Sequence, residues 1–200
     1  MKEVKVLIKG EHSKNEEEKL VIGSTVTLIK GNKNIIVDTG SFLDKDKIIE
    51  ELKKENLTPE EINIVVLTHL HLDHLVNTYL FKNAKVFCKF KGGDYPGQIH
   101  YPNKGCLERA EIADGKELMK GVSFLLTPGH TPDMISVVVN TTEGKVVIAG
   151  DAFPSKDFLD LNKEPIAMLT DIPEFNKSRK KILEVADYIV PGHGDMFKVN

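Results

Sequence analysis

Cysteine is scarce in this chain of 200 residues: there are two, Cys88 and Cys106. Two thiols are too few for a disulfide framework, and they lack zinc-finger spacing. Reduced thiols in a cytoplasmic setting are therefore expected. No apolar run approaches the roughly 20 residues that span a bilayer, so no membrane partner is expected. The opening MKEVKVLIKGEHS alternates apolar and polar residues like a first strand. It has no apolar h-region, and a secretory signal is not expected. Basic charge is not in excess either. With 27 Lys and Arg against 30 Asp and Glu, the net charge is -3, which leaves no electrostatic footprint for nucleic acid. The run Lys177–Lys181 (KSRKK) falls in a helical pattern and reads as a solvated face. No G-x-S-x-G occurs, so a serine nucleophile elbow is excluded. No repeat, low-complexity tract or Pro/Gly-rich linker divides the sequence, and one domain over residues 1–200 is expected.

What is present is a regular alternation of strand and helix signals. VKVLIKG, STVTLIKG and NIIVDTG read as strands, the last two joined by a turn at Gly31-Asn32-Lys33. Residues 43–56 carry apolar groups at helical spacing. Thr58-Pro59-Glu60-Glu61 looks like a helix start with proline in its first turn. INIVVLTH follows as a continuous apolar run, the mark of a buried strand, and LDHLVNTYLF reads as a helix. Strands are expected again at AKVFCK, VSFLLTPG, MISVVVNT and KVVIAGD, then a helix at PEFNKSRKKILEVAD and a strand at YIVPGHG. Strand-rich halves that each carry helices suggest two packed sheets with helices on the outer faces.

The stretch from Thr68 to His74, THLHLDH, holds three of the seven histidines and an aspartate. Three imidazoles in an ordinary core would need several hydrogen-bond partners, whereas His and Asp are ligands for divalent metals. In an extended segment His69 and His71 share a face, while Leu70 and Leu72 are expected to face the core. Asp73 and His74 then swing in beside them as a helix starts. Four ligands at such a junction can serve two adjacent metals. Three more candidates each end a predicted strand: His130 in TPGHTPD, Asp151 in VVIAGDAF and His193 in IVPGHG. Neighbouring glycines permit tight turns or close backbone approach there. His12 and His100 have no partner pattern and read as surface residues.

Asp38 in IIVDTG, THLHLDH, His130, Asp151 and His193 resemble, in order, the five motifs of the metallo-β-lactamase fold superfamily. The resemblance runs from about residue 24 to residue 198, and the C-terminal stretch NKSRKKILEVADYIVPGHGDMFKV is similar to one branch of it. It implies an α/β (α+β) fold, a four-layer αββα sandwich with a dinuclear site at one edge of the sheets. By that resemblance His69, His71 and His130 would hold one metal and Asp73, His74 and His193 a second, with Asp151 bridging them. Asp38 would orient ligands from behind; the alternative is a turn residue before Thr39-Gly40.

The resemblance implies two divalent ions, zinc first, with iron or manganese as alternatives. Two such ions share a bridging water and lower its pKa to near 7, which supplies a hydroxide nucleophile. Asp73 is the candidate for orienting that hydroxide or relaying a proton. The expected activity is hydrolysis of a small ester, thioester, lactone or phosphodiester. A metal-dependent single-strand nuclease and a mononuclear-iron thiol or persulfide dioxygenase are the alternatives, and a homo-oligomer is left open.

Departures from relatives narrow the substrate. Seven residues follow His193, too few for the helical domain of glyoxalase II-type members. The 41 residues between Asp151 and His193 leave no room for the insert of the RNA-processing nucleases. Pro154 stands where homoserine-lactone lactonases carry tyrosine, and His71 where flavodiiron proteins carry glutamate. Residues 91–104 (KGGDYPGQIHYPNK) combine glycine, proline and aromatic residues in a loop pattern. Tyr95, His100 or Tyr101 is expected there at the mouth of the metal pocket, with an ordinary surface loop as the plainer reading.

Overall fold

The β-branched runs form strands in the computed structural model, which describes residues 2–89, 112–165 and 170–199. The first half contains β1 (Glu3–Ile8), β2 (Glu11–Lys14), β3 (Leu20–Gly23), β4 (Val26–Lys30) and β5 (Ile35–Val37). Helix α1 (Lys45–Lys54), β6 (Ile64–Val66), the short α2 (Leu72–Leu75) and β7 (Lys85–Phe87) follow. Five of these strands make one sheet in the order β1-β4-β5-β6-β7, and β2 pairs with β3 as a separate hairpin. The second half contains β8 (Glu117–Met119), β9 (Val122–Leu126), β10 (Ile135–Asn140), β11 (Lys145–Gly150), α3 (Ile172–Val185), β12 (Tyr188–Pro191) and β13 (Phe197–Lys198). Its sheet runs β13-β12-β11-β10-β9-β8.

Three apolar clusters define the layers. Between the sheets, Val37 and Val66 of the first meet Phe124, Val137, Ile148 and Val190 of the second. On the outer face of the first sheet, Ile48 and Leu52 of α1 cover Leu28, Ile36 and Val65. On the outer face of the second, Phe175 and Ile182 of α3 cover Val147, Ala149 and Ile189. The result is the helix–sheet–sheet–helix order expected from the sequence. Each such side chain contributes about 1.5–3 kcal/mol when fully buried, so both helices are held by their apolar stripes. Local signals agree with the packing. Asp171 caps α3 by accepting from the Glu174 amide, and Lys53 and Lys54 sit in the last turn of α1, where positive charge suits the helix dipole.

Three expectations need correction. LDHLVNTYLF is not one helix: α2 stops at Leu75 and a 3-10 turn occupies Thr78–Leu80. Asn77 turns its amide to the carbonyls of Thr39 and Ser41, and the Thr78 hydroxyl donates to Leu75 O, which breaks the helical ladder. Leu72 is 63% exposed rather than core-facing, because it begins α2, where strand alternation no longer applies. The run Lys177–Lys181 is not wholly solvated, since Ser178 and Arg179 are buried. Arg179 lies on the inward stripe with Phe175 and Ile182, seven residues of helical spacing apart. Its guanidinium donates to the carbonyls of Phe158, Asp160 and Leu161 and lies 4.8 Å from the Phe175 ring centre. The segment after Asp151 is thereby tied to α3.

Candidate metal centre

Strand order brings the candidate residues together. β5 ends at Asp38, β6 leads to Thr68 and the histidine cluster, β11 ends beside Asp151, and β12 leads to His193. Within each sheet these strand pairs are parallel, so their carboxyl ends lie on one side, the usual place for a site in such sheets. His130 follows β9 and reaches the same edge. A cleft of about 520 Å³ lined by Lys2, Lys30, Thr141 and Tyr188 belongs to the opposite end of the strands, away from this chemistry.

The side chains fall into two groups. His69, His71, His130 and Asp151 form one, and Asp73, His74 and His193 the other; within each, the ligand atoms all lie within 4.8 Å. His71 Nδ1 is 2.9 Å from His69 Nε2 and 3.1 Å from His130 Nε2. Asp151 stands between the groups. Its Oδ2 is 3.2 Å from His130 Nε2, while its Oδ1 is 3.3 Å from Nε2 of both His74 and His193. Asp73 Oδ2 closes the second group, 3.6 Å from His74 Nε2 and 3.9 Å from His193 Nε2.

The rear of the site decides which ring nitrogens face it. The Thr68 amide donates to Asp38 Oδ1 and its hydroxyl to Asp38 Oδ2, both at 2.8 Å. That hydroxyl, its one proton spent, accepts from His69 Nδ1 at 3.1 Å. His74 Nδ1 donates to Asp38 Oδ2 at 2.8 Å, and His193 Nδ1 to Gly23 O at 2.9 Å. These bonds place the protons on Nδ1 and leave three Nε2 lone pairs aimed at the centre. Asp38 thus accepts three hydrogen bonds, two from Thr68 and one from His74. It adopts a left-handed φ of 57°, an uncommon conformation that short polar residues tolerate.

Imidazole nitrogens and a carboxylate converge at the centre. Among the described residues, His74 Nε2 and Asp151 Oδ1 are buried without a hydrogen-bond partner, which is costly and which a cation would relieve. Burial opposes charge on His74, yet Asp38 and Asp151 raise its pKa well above the ordinary value, so a cation that binds Nε2 would do so by displacing a proton. Burial would raise Asp151, but His74 and His193 hold it well below the carboxylate range. Burial, with His74 adding to it, pushes His69 well down, and burial likewise lowers His130. The residues fit divalent metal: an imidazole- and carboxylate-rich set with its lone pairs already aimed.

Backbone close approach completes the site. A methyl group on Gly192 would collide with Asp151 Oδ1, and one on Gly150 with the Thr68 hydroxyl. Thr68 and the hairpin base were missed by the sequence reading, although Thr68 adjoins a ligand in its motif, whereas Gly192 makes the close backbone approach expected of the glycines beside the ligands. His12 was read as an unconnected surface residue. It is exposed, but its ring centre is 5.4 Å from that of His193. Tyr95, His100 and Tyr101 lie outside the described residues.

The comparisons with known proteins agree with this arrangement. A family model described as Metallo-beta-lactamase superfamily matches residues 21–193. The chain is 33% identical over 201 residues to Metallo-beta-lactamase domain-containing protein 1 of Xenopus laevis, covering 98% of this chain and 81% of the relative. The rat protein of that name is 35% identical over 82% of this chain and 63% of its own length, so this chain spans under two thirds of it. An N-acyl homoserine lactonase from a Bacillus species is 30% identical over 62% of this chain and 51% of its own. Among solved structures, a Thermotoga maritima protein assigned to the metallo-beta-lactamases superposes with a TM-score of 0.74 at 22% identity, covering 98% of this chain and 99% of that one. A dizinc quorum-quenching lactonase superposes with a TM-score of 0.65 at 20% identity, over 85% and 72% of the two chains.

Proposed function

Because this chain belongs to the metallo-beta-lactamase superfamily and is a metal-dependent hydrolase, we propose that it cleaves a small ester, thioester, lactone or phosphodiester with two divalent ions, zinc foremost. One observation carries this reading: the two carboxylate oxygens of Asp151 face different ligand groups, at 3.2 Å and 3.3 Å from their imidazoles. His69, His71 and His130 would hold one ion, Asp73, His74 and His193 the other, and Asp151 would touch both. The dizinc lactonase neighbour supports zinc and the pair. When bound, two such ions act as Lewis acids that lower the pKa of a water and polarise the bond it attacks.

The protein's own residues set the rest. His69 and His74 are sealed from solvent, while His71 is exposed and Asp73 half-buried, so substrate enters on the side of His71 and Asp73. Asp73 Oδ2, at the open end of the second group, orients the attacking water and takes up a proton. Thr68, Asp38 and Gly23 keep the imidazoles in the tautomer that ligation needs. A nuclease reading is opposed by the net charge of -3, which offers no basic footprint for nucleic acid. No helix among the described residues is long and apolar enough to cross a membrane. A reducing, cytoplasmic setting is proposed from the low cysteine content, two in 200 residues. Tyr95, His100 and Tyr101 remain proposed contacts at the pocket mouth, tested by replacing each with Ala and comparing kcat/KM across substrates.

The test is elemental analysis of protein purified without chelator, with hydrolysis of an ester, thioester, lactone and phosphodiester panel. Two zinc ions per chain and chelator-sensitive turnover are expected. One iron per chain with oxygen consumption would replace this reading by the dioxygenase.

A further inference from the structure

Two adjacent residues of α3 hold the loops that deliver ligands from the second sheet. The Ser178 hydroxyl donates to Pro128 O at 2.6 Å, just before His130, and the Asp171 amide donates to Gly129 O at 2.8 Å. Gly129 is seated so closely on α3 that a methyl group there would collide with the Phe175 amide nitrogen. Arg179 grips the other loop. Its fork donates to the carbonyls of Phe158, Asp160 and Leu161 at 2.9, 3.0 and 2.8 Å, and to the Asn176 side chain. That segment begins at Asp151 and supports His193 on its way, because Phe153 O accepts from Gly192 N at 3.1 Å and Pro154 O from His193 N at 2.8 Å.

Arg179 is a costly occupant of its place. It is fully buried, and its Nε has no hydrogen-bond partner among the described residues. Burial lowers the guanidinium below its usual range, against the pull of Asp160. A buried charge held by neutral carbonyls costs stability that an apolar side chain of similar length would not. Packing alone therefore does not account for an arginine here. What methionine would lack is the planar fork, which fixes three carbonyls in one geometry. Ser178 is buried too, and alanine would fill its place with no hydroxyl to satisfy.

We propose that Ser178 and Arg179 are positioning residues, which through one rigid helix set the distance of His130 from Asp151 and His193 and so the spacing of the two ligand groups. The inference rests on the two-ion reading and adds to it residues that touch neither ion. The pair stand about 1.5 Å apart along the axis of α3, so the two loops cannot shift independently. Asp151 depends on that spacing, with Oδ2 3.2 Å from His130 Nε2 and Oδ1 3.3 Å from His193 Nε2. Each grip has its own signature. Ser178 acts on the His130 loop alone, hence on the first group. Arg179 acts on the segment that carries Asp151 and supports His193, hence on both groups.

The test titrates metal-free protein with zinc, follows the ring signals of His130 and His193 by NMR, and measures thermal unfolding of the same metal-free samples. Ser178→Ala should weaken zinc about tenfold at the group reported by His130 and leave the response of His193 at the parental concentration. Ser178→Thr, which keeps the hydroxyl, should recover the loss. Arg179→Met should weaken both groups by about 10–100-fold. Arg179→Lys should recover part, since an ammonium reaches the carbonyls without forking across them. The Tm of each metal-free variant should stay within about 5 °C of the parent. Before any zinc is added, the contact between the His71 and His130 rings, 4.8 Å apart at their centres, should weaken in Ser178→Ala. That between His74 and His193, 5.7 Å apart, should weaken in Arg179→Met. Parental zinc affinities and ring contacts in both variants would overturn the proposal, and a lowered Tm alongside them would make the two residues structural props only. If Arg179→Met does not fold, the serine variants and Arg179→Lys decide it. Failure of the two-ion reading registers separately, as a parent protein that takes up one ion or none, and the ring contacts of the metal-free samples still test the positioning.

Discussion

Asp38 Oδ2 and His74 Nδ1 lie 2.8 Å apart, both closed off from solvent, and the bond leaves His74 with a single free nitrogen, the one that faces Asp151. The same carboxylate receives two donors from Thr68, so one side chain orders two ligand-bearing elements. Asp38→Ala should lower metal affinity at the His74 group by about 10–100-fold. Asp38→Asn should be nearly as harmful, because an amide in place of Oδ2 would present a donor to two donors. Metal titration of the three proteins checks both expectations; parental affinity in the asparagine variant would refute them.

Gly192 provides a steric test of the Asp151 position. Its φ is not left-handed, so alanine suits the backbone, but the added methyl would meet Asp151 Oδ1. Gly192→Ala should therefore displace the carboxylate, with about a 100-fold loss of turnover, the scale of one key electrostatic contact. Thermal unfolding of the metal-free variant should stay close to that of the parent, since the clash is local. Full activity would show that Asp151 can act from elsewhere.

Asp151→Asn removes negative charge from between the two groups and should cost at least about 100-fold in activity. His193→Ala should empty the second group while the fold survives, because neither side chain belongs to the apolar clusters. Elemental analysis checks the pair; two tightly held ions in His193→Ala would rule out the assignment.

Glu55, at the end of α1, accepts from Lys5 of β1 at 2.8 Å and from Lys30 of β4 at 3.0 Å. Lys5 first and Lys30 second hold its carboxyl below its ordinary value of 4.5. A depressed folded pKa stabilises above the unfolded value, and the effect disappears as pH falls through the folded one. Glu55→Gln should thus lower the Tm by about 2 °C at neutral pH, and the two melting curves should converge in acid. A gap of constant size from pH 7 to pH 3 would exclude the carboxylate as its source.

The layers were legible because period-2 and continuous apolar runs survive folding unchanged: NIIV, INIVV and KVVIAG all became buried strands. The metal ligands were legible because their residue types rarely cluster for other reasons. The hairpin was not. EHSK has no apolar residue and LVIG is too short a run to show a period; among the described residues β2 and β3 pair only with each other, so no core face patterned them. Arg179 was hidden by its charge, since only the three-dimensional supply of carbonyls makes an inward guanidinium acceptable. His12 was invisible for a different reason: its neighbour His193 is 181 positions away in the chain, and only the hairpin's anchoring brings them together.

The two sheets divide the ligands between them. His69, His71, Asp73 and His74 come from the first half of the chain, and His130, Asp151 and His193 from the second. Each of the two groups draws on both halves, so neither half can complete a coordination sphere by itself. An ion captured at this edge would be a rivet through the seam of the sandwich. Its arrival then dates the moment at which the halves have docked, and its removal loosens the seam before it touches either sheet.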